Sequence, residues 1–352
     1  MGESMKAAVL YAPGDLRVER REVPRIKSAQ DVLIRVKAVG ICGSDLDRVL
    51  HTGTYSFPTI PGHEFCGIVE ELGEDAVGFQ VGDRVVVAPI LPCMKCDSCS
   101  KGHYGQCDDY DYLGSRRDGA MAEYVIAPVQ NLIKMPDNMS FAEGAAVEPA
   151  AVTLHGMIQV GIEVGDSVVV LGCGPLGVFA VSFAKLMGAS EVYVVDIDPQ
   201  KFAAAASAGA DGCVNALETD AVEALQQITK NKGFNVVIET AGSSITQEQS
   251  LRLAKKKGRV LYLGTAHNDV VLPPTTFEKI VRNELWVTGS WNSFSAPFPG
   301  REWYAILKYV SDGRFDLSSA ITHKISLDQL PEVLVQMDKK EFVYSKVMIE
   351  IE

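Results

Sequence analysis

The sequence predicts an α/β fold in two parts, a β-rich unit and a doubly wound parallel-sheet unit, and three observations point to it. At 352 residues the chain is too long for one compact core to be the default. Its first 150 or so residues alternate like half-buried strands and are broken repeatedly by Gly and Pro, whereas from Asp166 onward short β-branched runs recur between helical stretches. The segment after Ser290 holds too few elements to bury a core of its own.

In the first stretch, Asp31 to Lys37 (DVLIRVK) and Arg84 to Ala88 (RVVVA) read as strands, punctuated at Pro61-Gly62, Gly82-Asp83 and Gly102. The runs SVVVLG, EVYVVDID, NVVIETAG, RVLYLG and LWVTGS are apolar nearly throughout, as parallel strands covered by helices on both faces must be. WNSFSAPFPGREW, with two prolines and a glycine, closes that unit. Amphipathic stretches at Glu302 to Ser311 and Leu327 to Met337 then lead into a terminal strand, KVMIEIE, expected to pack back on the first unit. The expected division is therefore 1–152, 153–290 and 291–352, the last piece returning to the first. There is no internal repeat and no low-complexity tract.

Hydrophobic residues make up 47% and charged residues 22%, so the chain is expected to fold without a partner. Lys plus Arg number 33 against 45 Asp plus Glu, a net charge of -12, which repels phosphate backbones and anionic lipid. Nucleic acid and membrane are excluded as expected partners. The opening MGESMKAAVLYAPGDL lacks the pattern of an export signal, and no run approaches the roughly 20 apolar residues of a membrane span, so the cytoplasm is the expected location.

Gly172-Cys173-Gly174-Pro175-Leu176-Gly177 fits G-x-G-x-x-G between a strand and an amphipathic helix, Leu176 to Met187. The first glycine makes the tight turn, the second admits the pyrophosphate, and the third lets helix and strand pack closely. Amides exposed at the helix start then bind the phosphates. A purely structural turn is the alternative, and Asp196, 19 residues past Gly177, argues against it. An acid there accepts hydrogen bonds from the ribose hydroxyls and repels a 2′-phosphate, so NAD is expected over NADP. Asp198, before Pro199, fits the role of a helix cap better than Asp196 does.

Four of the eight cysteines, Cys93, Cys96, Cys99 and Cys107, are spaced C-x2-C-x2-C-x7-C. Four thiolates on one loop complete a tetrahedral shell for zinc, with no position left open, so this site is expected to be structural. An iron-sulfur cluster is the competing metal, and free thiols the metal-free alternative. Upstream, GICGSD and PGHEFCG offer Cys42, His63 and Glu64, with Glu148 in VEPAAV. A thiolate, an imidazole and a carboxylate form an open zinc site able to polarise an alcohol oxygen. Taken singly, each of these residues also reads as a core or surface residue.

With these motifs assembled, the sequence resembles the zinc-dependent medium-chain alcohol and polyol dehydrogenases. GHEFCG is similar to their GHExxG, the four-cysteine loop to theirs, and GCGPLG with Asp196 to their cofactor segment. The resemblance runs over essentially the whole chain. It implies a GroES-like catalytic domain, a Rossmann NAD-binding domain, an active site in the cleft between them, two zinc ions per subunit and a homodimer or homotetramer paired through LWVTGSW. It also implies roles. Cys42 and His63 match catalytic zinc ligands, and Glu148 stands where plain alcohol dehydrogenases have a third cysteine, as in the polyol branch. There Glu64 can also bind the metal, and Ser44 matches the hydroxyl that passes the alcohol proton outward. Asp47 replaces the usual relay histidine, and the nearby His51 reads as a surface residue.

CSKGHYGQCDDYDYLGSRRDGAMAEYV and TGSWNSFSAPFPGREW are similar to the branch that oxidises sugar-alcohol phosphates, such as galactitol 1-phosphate to tagatose 6-phosphate. Arg116 or Arg117 is the expected phosphate ligand, because a planar guanidinium holds phosphate oxygens bidentately. The alternative is that the pair ion-pairs with Asp118 or Glu123. Trp291, Asn292 and Phe294 either wall the substrate pocket or pack at the domain junction. An unphosphorylated polyol such as sorbitol or iditol, or threonine, is the rival substrate. An inactive zinc- and NAD-binding protein is the rival from another class.

Overall fold

A computed structural model describes residues 4–352; Met1 to Glu3, part of the stretch read above for an export signal, lie outside the described residues. The chain separates into two compact units, Met1–Pro149 with Phe294–Glu352, and Ala150–Ser293.

The first unit is built on a seven-stranded sheet. Its order is Ile321–Ile325, Lys346–Glu350, Asp31–Gly40, Glu64–Leu72, Arg84–Val87 and Leu132–Lys134, with Tyr124–Pro128 also paired to Asp31–Gly40. The terminal strand runs antiparallel to Asp31–Gly40, Met348 facing Gly40. Val32, Ile34, Val36, Val347 and Ile349 from these strands join one buried core with Leu330 and Leu334 of the helix Leu330–Asp338. A hairpin, Ser4–Ala12 with Asp15–Glu22, adds Ala8 and Leu10.

Three glycines fix the backbone just before His63. Gly62 has φ +98°, a region costly for any residue with a Cβ. A Cβ on Gly114 would stand 2.6 Å from the Gly62 carbonyl oxygen, and one on Gly119 would fall on that same oxygen. The carbonyl accepts the Ala120 amide at 3.0 Å, and the Gly119 amide donates to Ile60 at 2.7 Å. The loop 114–119 is thereby locked to the PGHEFCG segment.

The second unit holds one six-stranded parallel sheet. Its order is Gly212–Asn215, Glu191–Asp196, Ser167–Leu171, Phe234–Glu239, Ala254–Tyr262, Trp286–Gly289. The order reverses beside Ser167–Leu171, the switch point of a doubly wound sheet. Val168 to Leu171 are fully buried, which is why that strand carries no polar alternation. The sequence reading located five of these strands. The sixth, Gly212–Asn215 (GCVN), was missed because it is four residues long and has one β-branched side chain. On the opposite edge, Trp286 and Val287 are exposed. No helix among the described residues is long and apolar enough to cross a membrane.

Gly119→Ala should force this loop off Gly62. The expected cost is about 2 kcal/mol or more, a fall of roughly 4–8 °C in Tm. Gly289→Ala, where a Cβ meets nothing within 4 Å, should leave Tm within about one degree. Equal melting of the two variants would refute the locking role.

Candidate active site

Cys42 caps the short helical turn Gly43–Asp47, and His63 immediately precedes the strand Glu64–Leu72. Pairing of Gly40 with Glu64 in adjacent strands brings these two chain segments side by side. One donor atom each from Cys42, His63 and Glu64 then lies within 4.8 Å of the others. Asp45, fully buried, ties them together: one oxygen pairs with His63 Nδ1 at 3.2 Å and the other accepts the Cys42 amide at 3.2 Å. With Nδ1 engaged, His63 is left to present Nε2. Burial pulls its pKa down, but Asp45 and Cys42 outweigh burial and hold it well above the usual imidazole range. Binding of a metal here would release that proton.

Glu64 is not free to swing. Lys346, from the terminal strand, donates to its Oε1 at 2.8 Å and Oε2 at 2.6 Å, and to the Ile41 carbonyl at 3.1 Å. The side chains are 4% and 1% exposed, so this is an ion pair out of water. Burial lowers the Lys346 pKa, yet Glu64 more than offsets it and the ammonium stays charged. A Cβ on Gly40 would fall on Glu64 Oε2, so only glycine leaves room for this arrangement. Glu148, in the first turn of the helix Val147–Val160, is buried near the same charges but lies outside the set of three. Burial pushes its pKa up to about 7; Glu64 adds to the shift and His63 opposes it.

Ser44 Oγ donates to Cys42 Sγ at 3.3 Å and accepts from Arg48 Nη1 at 3.0 Å. No carboxylate lies within ion-pair distance of Arg48 among the described residues. Asp47 turns away to Thr52, at 2.9 Å, and His51 is exposed and paired with Asp338, also at 2.9 Å. Tyr112 stands edge-on to His63, ring centroids 5.7 Å apart. Asp45, Arg48, Tyr112 and Lys346 escaped the sequence reading. For Asp45 a signal existed, since an acid three residues after Cys42 caps the turn that presents it. Lys346 is 282 residues from Glu64, and no local pattern could join them.

The four loop cysteines also converge, their sulfurs all within 4.8 Å of one another. The Cys96–Cys107 separation of 3.9 Å matches the edge of about 3.8 Å expected for sulfurs tetrahedral around zinc, and it is far beyond a disulfide. Backbone amides support charged sulfur here: Cys93 N–H donates to Cys107 at 3.2 Å, and the Cys99 and Asp108 amides bring the Cys96 thiol down to about 7. Burial pushes the Cys99 thiol up to about 12.

In the second unit, Gly172 has φ +103°, and a Cβ on Gly177 would fall on the Gly172 carbonyl oxygen. Both observations fit the tight turn and close packing read from the motif. Gly174 caps the helix Pro175–Leu186 with no side chain, and a Cβ there would meet nothing within 4 Å. Pro175 has no N–H to offer, so open space before the helix-start amide of Leu176 is what a diphosphate requires. Asp196 closes its strand over the same turn, accepting from Cys173 N–H at 2.6 Å and from Asp198 N–H at 2.9 Å. Asp198 caps the next turn through Gln200 N–H at 3.0 Å.

The two arginines of GSRRDG part company. Arg117 Nε pairs with Asp111 at 2.5 Å, whereas the Arg116 guanidinium lies on the Tyr55 and Tyr110 rings. Neither pairs with Asp118 or Glu123: Asp118 accepts the Ile60 amide and Glu123 accepts the Lys6 amide. Phe294 is packed on Phe298 and Trp303, Trp291 is 53% exposed, and Asn292 holds φ +60°.

Residues 28–137 match the alcohol dehydrogenase GroES-like domain family, and residues 175–310 the zinc-binding dehydrogenase family. Galactitol 1-phosphate 5-dehydrogenase of Escherichia coli is 36% identical over 94% of this chain and 95% of its own length. A crystal structure of galactitol-1-phosphate dehydrogenase from Escherichia coli superposes with a TM-score of 0.93 at 34% identity, over 99% of this chain and 100% of that one. Sorbitol dehydrogenase of Bacillus subtilis is 31% identical over 99% of this chain and 97% of its own. A zinc-binding dehydrogenase of Sinorhizobium meliloti, solved bound to NADP, gives a TM-score of 0.90 at 32% identity, covering 99% and 100% of the two chains.

Lys346→Met should strand the Glu64 charge in the interior and destabilise the protein by about 3–5 kcal/mol. Adding Glu64→Gln should recover at least half of that loss. Urea unfolding of the three proteins checks this, and a single variant as stable as the parent would remove the ion pair from the account.

Proposed function

Because the chain belongs to the zinc-binding alcohol dehydrogenases, we propose that it oxidises a secondary alcohol of a polyol, in phosphorylated form, with NAD as hydride acceptor. The observation that carries this is the convergence of Cys42, His63 and Glu64 with Ser44 hydrogen-bonded to the first of them. Zinc at these donors would polarise the substrate hydroxyl, and NAD would take the hydride from its carbon. Cys42 and His63 are the fixed ligands of the proposal, with Glu148 or Glu64 completing the set. Lys346 partly neutralises Glu64, but each oxygen keeps a lone pair and Glu64 lies in the converged set where Glu148 does not, so the choice between them stays open.

Ser44 takes the hydroxyl proton. Arg48 donates to Ser44 Oγ and has no lone pair to receive a proton, so it cannot carry the relay further. With Asp47 and His51 turned elsewhere, the proton passes from Ser44 to water. Arg48 instead places fixed positive charge beside an oxygen that gains negative character.

We assign the cofactor to Gly172, Gly174, Pro175, Leu176, Gly177 and Asp196 of the unit Ala150–Ser293, and a closed, structural zinc to Cys93, Cys96, Cys99 and Cys107. The Asp196 carboxylate disfavours a 2′-phosphate, although a relative has been solved with NADP. A phosphorylated substrate needs a cation, and the pair Arg116-Arg117 offers two candidates. The free-polyol reading draws on the sorbitol dehydrogenase relative. The non-catalytic reading gives no reason for Ser44 and Arg48 to stand beside the open site. A homodimer or homotetramer through the exposed edge strand Trp286–Gly289 is the proposed assembly.

Metal analysis should find two zinc ions per chain, and one in Cys99→Ser. Turnover of galactitol 1-phosphate with NAD should exceed that with NADP, and Asp196→Ser should narrow the gap at least tenfold, about 1.4 kcal/mol. One zinc with no turnover of any polyol or polyol phosphate would favour the non-catalytic reading.

A further inference from the structure

The loop between Gly114 and Gly119 carries two neighbouring guanidinium groups in opposite situations. Arg117 is neutralised by Asp111 at 2.5 Å. Arg116 has no carboxylate within ion-pair distance among the described residues. Its guanidinium carbon is 4.2 Å from the Tyr55 ring centroid and 4.4 Å from that of Tyr110. Both rings thus lie within cation–π distance of one guanidinium.

This arrangement does three things. Rings against the group stabilise its charge without neutralising it. The guanidinium has five N–H donors, more than two tyrosine hydroxyls can occupy, and its planar fork matches paired oxygens of phosphate. The rings also remove side-chain freedom in advance, which lowers the entropy lost on binding. The backbone holds the clamp in place: Tyr55 N–H donates to the Ser115 carbonyl at 3.2 Å, and the Arg116 amide donates to Tyr112 at 3.0 Å. An aromatic row then leads to the open site, Tyr110 edge-on to Tyr112 at 6.5 Å and Tyr112 edge-on to His63 at 5.7 Å.

We propose that Arg116, held against Tyr55 and Tyr110, is an anion subsite that takes the phosphate monoester of the substrate, and that Arg117 has no part in it. The identity of the ligand as a substrate phosphate rests on the polyol-phosphate reading above; the anion subsite stands apart from it. Tyr55 and Tyr110 are positioning residues, acting through Arg116.

The test compares kcat/KM for galactitol 1-phosphate with that for galactitol. Arg116→Met should lower this ratio about 10- to 100-fold, and Arg116→Lys, which keeps charge and loses the fork, by a smaller factor. Arg117→Met should keep the ratio within about twofold of the parent. Tyr55→Leu and Tyr110→Leu should each raise KM for the phosphate roughly three- to tenfold with kcat little changed. A ratio unmoved by Arg116→Met, or moved as far by Arg117→Met, overturns the proposal. Should the parent use both substrates equally well, the substrate reading fails, and inorganic phosphate decides the subsite by itself. Phosphate raising the Tm of the parent and not of Arg116→Met keeps it; no protection of either overturns it.

Discussion

The buried pair between Lys346 and Glu64 is the interaction on which the candidate site depends. It joins the last strand to the segment that carries His63, and both charges are out of water. Isolated, either would be costly enough to unfold a marginally stable unit. Paired, they demand a glycine at position 40, a strand alongside it and a chain that returns after the α/β unit. The long-range topology is therefore written into the electrostatics of one side-chain pair.

The two metal-binding candidates answer opposite physical problems. Among Cys93, Cys96, Cys99 and Cys107 every neighbouring ligand is another sulfur, and backbone amides are the polar support. Such a set gains its stability from a cation and has nothing to offer a substrate. Around Cys42 ion pairs and a charged donor surround the ligands instead: Asp45 faces His63, Lys346 faces Glu64, and Arg48 donates to the Ser44 hydroxyl. The two ion pairs balance there while Arg48 keeps its charge, so the site can keep mixed and incomplete ligation without collapsing on itself.

Legibility in the sequence followed the range of the interaction. The cysteine spacing and the glycine turn were readable because neighbours within about fifteen residues determine them. Apolar runs gave five of six parallel strands, and the missed one, Gly212–Asn215, lies at an edge where little burial is needed. Ser44, Cys42 and His63 were visible through motif resemblance, whereas no motif of the sequence reading gave a role to Asp45 or Lys346. Residue type alone cannot separate Arg116 from Arg117. Their difference lies in Asp111, six residues from Arg117, and in Tyr55, far upstream.

Charge placement links these observations. A chain of net charge -12 repels an anionic substrate at long range, so any preference for a phosphate must come from cations not already neutralised. Near the open site two arginines meet that condition, and they stand at different distances from the reacting hydroxyl. Arg48 donates to Ser44 Oγ directly, so its charge would bear on the proposed proton carrier. Arg116 is separated from His63 by the width of two tyrosine rings, a spacing suited to the far end of an extended polyol rather than to its reacting carbon. One cation would thus serve the chemistry and the other the choice of substrate.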